Sequence, residues 1–151
     1  MAGHTVVRTS IPAGTPLYHG RIQPEYPERD WIAFDPEHAA IFSWGDNGAL
    51  YTFAAARDLT LLYFDGCSAN KIDGVVDTQD LLFWGKLLHK NKDWWGEMER
   101  MEDGCTWAGQ HGIDGFIRME FDLCVCALIS RIMPSRERLQ RDHILRLLQW
   151  A

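Results

Sequence analysis

The order of elements in this chain predicts an α+β protein with mixed or antiparallel strand pairing. Three observations carry that expectation. Short β-branched and aromatic runs bounded by Pro, Gly, Asn and Asp fill the chain up to Phe64. Residues 78–108 then carry the wider apolar spacing of helices. Residues 123–132 form the most apolar run of the chain and read as a central strand.

Taken in order, residues 5–17 read as a strand, a turn at Ile11-Pro12-Ala13-Gly14, and a second strand entering Leu17-Tyr18-His19. A loop with Pro24 and Pro27 follows from Arg21 to Asp30 and reads as a connection, with a lid over the neighbouring site as the alternative. Trp31-Ile32-Ala33-Phe34 is a short buried strand. Asp35 then caps, and Pro36 opens, a helix of one or two turns over 37–42. Two strands follow at 49–55 and 59–64, and a polar connection runs over 65–76. Asp77 reads as the N-cap of a helix from Thr78 to about Lys90, with Leu81, Leu82, Trp84, Leu87 and Leu88 as its apolar face. A second helix is expected over 94–108, ended by Gly109 and Gly112. Phe116-Ile117-Arg118-Met119 reads as a strand, and Pro134-Ser135 opens a last helix reaching about Trp150. No internal repeat is present.

The length of 151 residues suits a single domain with its own core, and 46% hydrophobic with 24% charged residues excludes a disordered chain. A net charge of −6 argues against nucleic acid as a partner, because phosphate neutralisation needs a basic face. The basic residues from Arg136 to Arg146 are interleaved with acids on the expected last helix, which makes them a solvated face. No apolar run is long enough to span a bilayer, and the first residues do not open a secretory signal. The four cysteines, Cys67, Cys105, Cys124 and Cys126, show no C-x-x-C pairing; the expectation is a reducing, cytoplasmic compartment. Only Cys105 and His111 are close enough to suggest a metal pair, so no metal site is expected. Seven tryptophans point to an aromatic core or to aromatic walls around a flat ligand.

Common catalytic signatures such as G-x-S-x-G, G-x-x-x-x-G-K-[ST], G-x-G-x-x-G and H-E-x-x-H are missing from the sequence. The informative pattern is Tyr18-His19-Gly20 at a strand end, where a glycine lets a ligand approach the backbone. It is followed by Trp31-Ile32-Ala33-Phe34-Asp35, a short helix ending in Ile41-Phe42-Ser43, the strand Leu50-Tyr51-Thr52-Phe53, and Gly112-Ile113-Asp114-Gly115-Phe116 late in the chain. Over about 16–64 and 112–128 this succession resembles the ADP-ribosyltransferase superfamily, in the branch of diphtheria toxin and the poly(ADP-ribose) polymerases. The resemblance implies two small mixed or antiparallel sheets with flanking helices, and a cleft between them that takes NAD as substrate.

Carried over by the resemblance, His19 holds the nicotinamide ribose and the Gly20 backbone, next to Tyr18, binds the carboxamide. Phe42 falls where the family usually has a stacking tyrosine, and Trp44 or Tyr51 shares that role. The family's late glutamate is matched to Glu120, with Asp122 on the same face if the segment is extended. Breaking the nicotinamide bond develops oxocarbenium character, which a carboxylate stabilises. Glu120 and Asp122 can equally form a solvated turn, which moves the family position to Cys124 or Val125 and removes the carboxylate. The implied activity is NAD-dependent ADP-ribosyl transfer, or NAD glycohydrolysis, with a protein or small molecule as acceptor. The alternatives are a non-catalytic nucleotide- or protein-binding module of the same fold, and a small hydrolase or lyase using His19 with Asp35 or Asp122.

Overall fold

The structure is a computed structural model that describes residues 2–24, 29–70, 74–87, 97–119 and 123–128. Its elements in chain order are β1 (Ala2–Ile11), β2 (Pro16–Arg21), β3 (Arg29–Ala33), α1 (Pro36–Ala40), β4 (Ala49–Ala54), β5 (Leu59–Gly66), α2 (Asp77–Trp84), α3 (Glu97–Gln110), β6 (Gly115–Met119) and β7 (Leu123–Leu128). The α+β expectation holds, with each described element of the expected order in its place. The expected last helix and residues 129–132 lie outside the described residues.

Among the described residues seven strands hydrogen-bond in the order β1-β5-β6-β7-β3-β2-β4. Only β5 and β6 run parallel; every other pair is antiparallel. The parallel pair needs a crossover, and α2 and α3 supply it. The expected division into two small sheets takes the form of one hydrogen-bonded order with a nearly open seam. β2 and β3 pair at Tyr18↔Ala33 alone, whereas β2 pairs with β4 from Pro16↔Ala54 to Arg21↔Ala49. The expected central strand is β7, fourth of the seven and paired on both sides.

Alternation along the strands sends side chains to two clusters. Leu59, Leu61 and Ile117 join Ile11, Leu17, Ile32 and Phe53 in one. Phe64 and Phe116 join Met101 and Cys105 of α3 in the other, with Trp31, Leu82 and Phe83 packed against it. The rings of Phe64, Phe83 and Phe116 meet edge-on or tilted at 5.3–5.9 Å. Each fully buried aromatic of this kind contributes on the order of 2–3 kcal/mol. Gly104 lets α3 approach this cluster, since a Cβ there would lie 2.7 Å from the Phe116 ring and 2.8 Å from Phe83.

Two expectations for α2 are corrected. Val76, not Asp77, is the N-cap residue, and it makes no side-chain cap bond; Asp77 and Asp80 lie in the first turn, where they complement the helix dipole. The helix stops at Trp84 instead of reaching Lys90, because Gly85 takes a left-handed conformation (φ 68°) and its N–H closes on the Leu81 carbonyl. Among the described residues its apolar face is also narrower than expected: Leu81 and Leu87 are exposed and Leu82 and Phe83 reach the core, while Leu88 lies outside the described residues. Around α1 the sequence expectation is met: the Asp35 carboxylate accepts from Glu37 N at 2.6 Å and His38 N at 3.1 Å, with Pro36 opening the helix.

Candidate functional site

A cavity of about 530 Å³ opens at the β2–β3 seam. Its lining comes from β2 (Tyr18 to Arg21), β3 (Asp30, Trp31, Ala33), α1 and its exit (His38, Ala39, Phe42, Trp44), the start of α3 (Glu97, Met98) and Arg118 of β6. The geometry follows from the missing backbone ladder. Beyond Tyr18 the two strands share no backbone pair, and the His19 ring bridges the gap: Nδ1 lies 2.7 Å from the Trp31 carbonyl. A carbonyl only accepts, so Nδ1 carries the proton and Nε2 is left as a lone-pair acceptor.

His19 Nε2 is buried, has no hydrogen-bond partner among the described residues, and faces Asp30 Oδ2 at 3.6 Å. The ring is buried, and burial pushes its pKa below 6.5, with Arg21 adding to that direction; Asp30 and the Trp31 carbonyl oppose it. A neutral imidazole at pH 7 results. Asp30 is held in turn, its Oδ1 accepting from Trp31 N at 2.9 Å.

Of the residues singled out in the sequence, Tyr18, His19, Gly20, Phe42 and Trp44 meet at this cavity. Phe42 and Trp44 are 51% and 67% exposed at its mouth, and Phe42 meets the buried His38 ring edge-on at 5.7 Å. Gly20 corrects the reason given for it. The space where its Cβ would stand is filled by the Ala39 carbonyl oxygen, 1.8 Å away, so α1 docking on β2 already requires the glycine, which also lines the cavity. Tyr51 is not part of the lining. It is the cross-strand partner of His19, stacks on it at 6.3 Å and backs the histidine from the β4 side; burial raises its phenol pKa. Glu120 and Asp122 lie outside the described residues, as does Tyr26. Asp114 of the late Gly-x-Asp-Gly lies away from the cavity: it holds Arg57 through two bonds of 2.6 and 2.9 Å and takes the Thr60 N–H at 3.0 Å, which ties the entry of β6 to β5. Asp35 caps α1 and does not line the cavity.

Sequence reasoning missed Asp30, His38, Glu97 and Arg118. One signal was available, because Arg118 interrupts the apolar strand Phe116-Ile117-Arg118-Met119, and a charge buried in a strand needs partners. The partners are long-range. Arg118 is 2% exposed and its guanidinium carbon lies over the Trp31 ring at 3.9 Å; its Nη2 donates to Glu97 and its Nη1 to Gln79 Oε1 at 3.1 Å. Gln79 Nε2 donates to the Ser68 carbonyl at 2.6 Å. Arg100 links Glu97 at 3.4 Å to the buried Asp80 at 2.9 Å. This network fastens α2, α3, β6 and the 67–70 turn together behind the cavity. Among the described residues no group of three or more His, Cys, Asp and Glu is arranged to hold a metal ion. No described helix is long and apolar enough to cross a membrane.

Residues 44–147 match the family model described as the YPL277C N-terminal domain. Two curated relatives from Saccharomyces cerevisiae, the uncharacterized proteins YPL277C and YOR389W, are each 40% identical over 89 residues. The alignment covers 51% of this chain in both cases, and 18% and 14% of the relatives. The chain thus spans less than a fifth of the length of the curated relatives it matches. No solved structure matches. The family match begins at Trp44 and takes in Glu97, Arg118 and Glu120, while β2 and His19 precede it. By that match over most of its length, the chain belongs to the YPL277C N-terminal domain family.

Proposed function

We propose that the seam cavity binds NAD with its nicotinamide ribose at His19, and that the domain cleaves the nicotinamide glycosidic bond and passes ADP-ribose to a protein or small-molecule acceptor, or to water. The observation that carries this reading is the state of His19. Its Nδ1 is committed to the Trp31 carbonyl, and its neutral Nε2 is an acceptor without a hydrogen-bond partner among the described residues. A ribose hydroxyl is the kind of donor that such an atom takes. The aromatic rings of Phe42 and Trp44 at the mouth supply flat surfaces for the nicotinamide. As the bond to nicotinamide lengthens, positive charge grows on the ribose, and Glu120 is the carboxylate assigned to stabilise it.

A second reading, binding without transfer, is favoured by the state of the two carboxylates that line the cavity. Glu97 is shared by Arg100 and Arg118, so its charge is already met, and Asp30 is oriented by its neighbour's N–H with its other oxygen 3.6 Å from His19 Nε2. Incubation of the purified protein with NAD, following free nicotinamide by chromatography beside a Glu120→Gln variant, separates the readings. Release by the parent that the variant loses supports transfer with Glu120 as the carboxylate. Binding of NAD or ADP-ribose by calorimetry without release supports the binding module. With neither release nor binding, the NAD reading fails.

A further inference from the structure

Two buried arginines, Arg118 in the lining of the cavity and Arg100 behind it, leave donors unmet. The guanidinium groups of Arg100 and Arg118 each carry five N–H bonds. Against them the described residues set Asp80, Glu97 and the Gln79 carbonyl. The Nε atoms of both arginines are buried with no acceptor among the described residues. An unmet donor on a buried cation is expensive, more so than one on a neutral group.

Arg118 is the one of the two that lines the cavity. Glu97 meets it at Nη2 alone, not across the Nε/Nη2 fork that a bidentate carboxylate would use. The fork therefore keeps one unmet N–H, closed to solvent, beside an occupied one. Glu97 and Met98, the first described residues of α3, line the same space. Arg21 lines the cavity as a further cation.

We propose that this wall is a phosphoryl subsite, in which an oxyanion of the ligand accepts from Arg118 Nε and Nη2 together while Glu97 keeps Arg100 as its partner. Its identification with the pyrophosphate of a dinucleotide rests on the NAD reading above; the oxyanion site itself does not. Trp31 lies under the guanidinium carbon at 3.9 Å, and Gln79 and Glu97 hold its two terminal nitrogens, so the group is positioned before a ligand arrives.

The test is a titration of the full chain with inorganic pyrophosphate, following arginine Nε–H signals by ¹H–¹⁵N NMR, with Arg118→Lys for assignment. The expected result is a saturable shift of the Arg118 Nε–H. The lysine variant, which keeps the charge and loses the fork, should bind pyrophosphate at least about tenfold more weakly. An Arg118 signal that stays in place, or equal affinity in the variant, overturns the subsite. If the variant does not fold, the wild-type signal, assigned through its bonds to the Arg118 backbone, decides alone. Pyrophosphate has no nicotinamide or ribose, so a shift without nicotinamide release keeps the subsite and sinks the transfer reading. Release without a shift does the reverse.

Discussion

Strand β3 is paired along its whole length on one side and at a single residue on the other. Toward β7 all five residues find register partners, from Arg29↔Leu128 to Ala33↔Cys124; toward β2 only Ala33 does. A complete ladder satisfies every backbone group and leaves no room for a ligand. An incomplete ladder leaves groups to be met by side chains, and the Trp31 carbonyl is met by His19. The histidine is thus oriented because the sheet is unfinished there, and the cavity is the space where backbone pairing is missing. The two sides are also fastened by different means. Behind the complete side, buried ion pairs tie α2 and α3 to β6; on the open side, α1 rests directly on the β2 backbone at Gly20.

That contrast can be broken at either end. The largest effect is expected from Asp80→Ala on the complete side. Asp80 is 2% exposed and pairs with Arg100, and its loss leaves that buried cation with Glu97 alone, 3.4 Å away, at a cost of about 1.5–3 kcal/mol. Urea unfolding measures it, and a loss under about 1 kcal/mol would show that the network carries little. Gly20→Ala attacks the open side. Its Cβ would meet Ala39 O and C and Ser43 N, all backbone atoms that cannot turn aside, so α1 must shift at a cost of roughly 1–3 kcal/mol. Calorimetric melting together with the Phe42 and Trp44 environment checks this; unchanged stability and fluorescence would show that α1 has room to spare.

The architecture was legible in the sequence because its signals are local. Pro12 and Gly14 mark the first turn, and Gly14 N–H does bond to Ala55 O. Asp35 and Pro36 mark the start of α1, and the apolar run after residue 122 marks the central strand. The site was legible only where it coincides with such signals, at Tyr18-His19-Gly20 and at Phe42 and Trp44. Asp30 and Glu97 carry no local mark, since a carboxylate ahead of a strand or at the start of a helix reads as solvated. Their meeting with His19 and Arg118 depends on which strands pair, and the open seam lies in that pairing. Gly20 taught the opposite lesson: its local signal was real, and the neighbour it makes room for is α1.

The smallest effect and the most direct test both concern His19. Its pKa is lowered in the fold, so the folded state binds fewer protons than the unfolded one below pH 6.5. The stability this neutral ring contributes is complete above pH 6.5 and is lost as the pH falls through the folded value. Asp30 opposes the lowering, so Asp30→Asn should depress the His19 pKa further. The measurement to make is a ¹⁵N NMR titration of the His19 ring with and without NAD. The account predicts an Nδ1–H tautomer that protonates below pH 6.5, and an Nε2 signal that moves when NAD binds. A ring protonated on Nε2, a midpoint above 6.5, or an Nε2 signal indifferent to saturating NAD would contradict it.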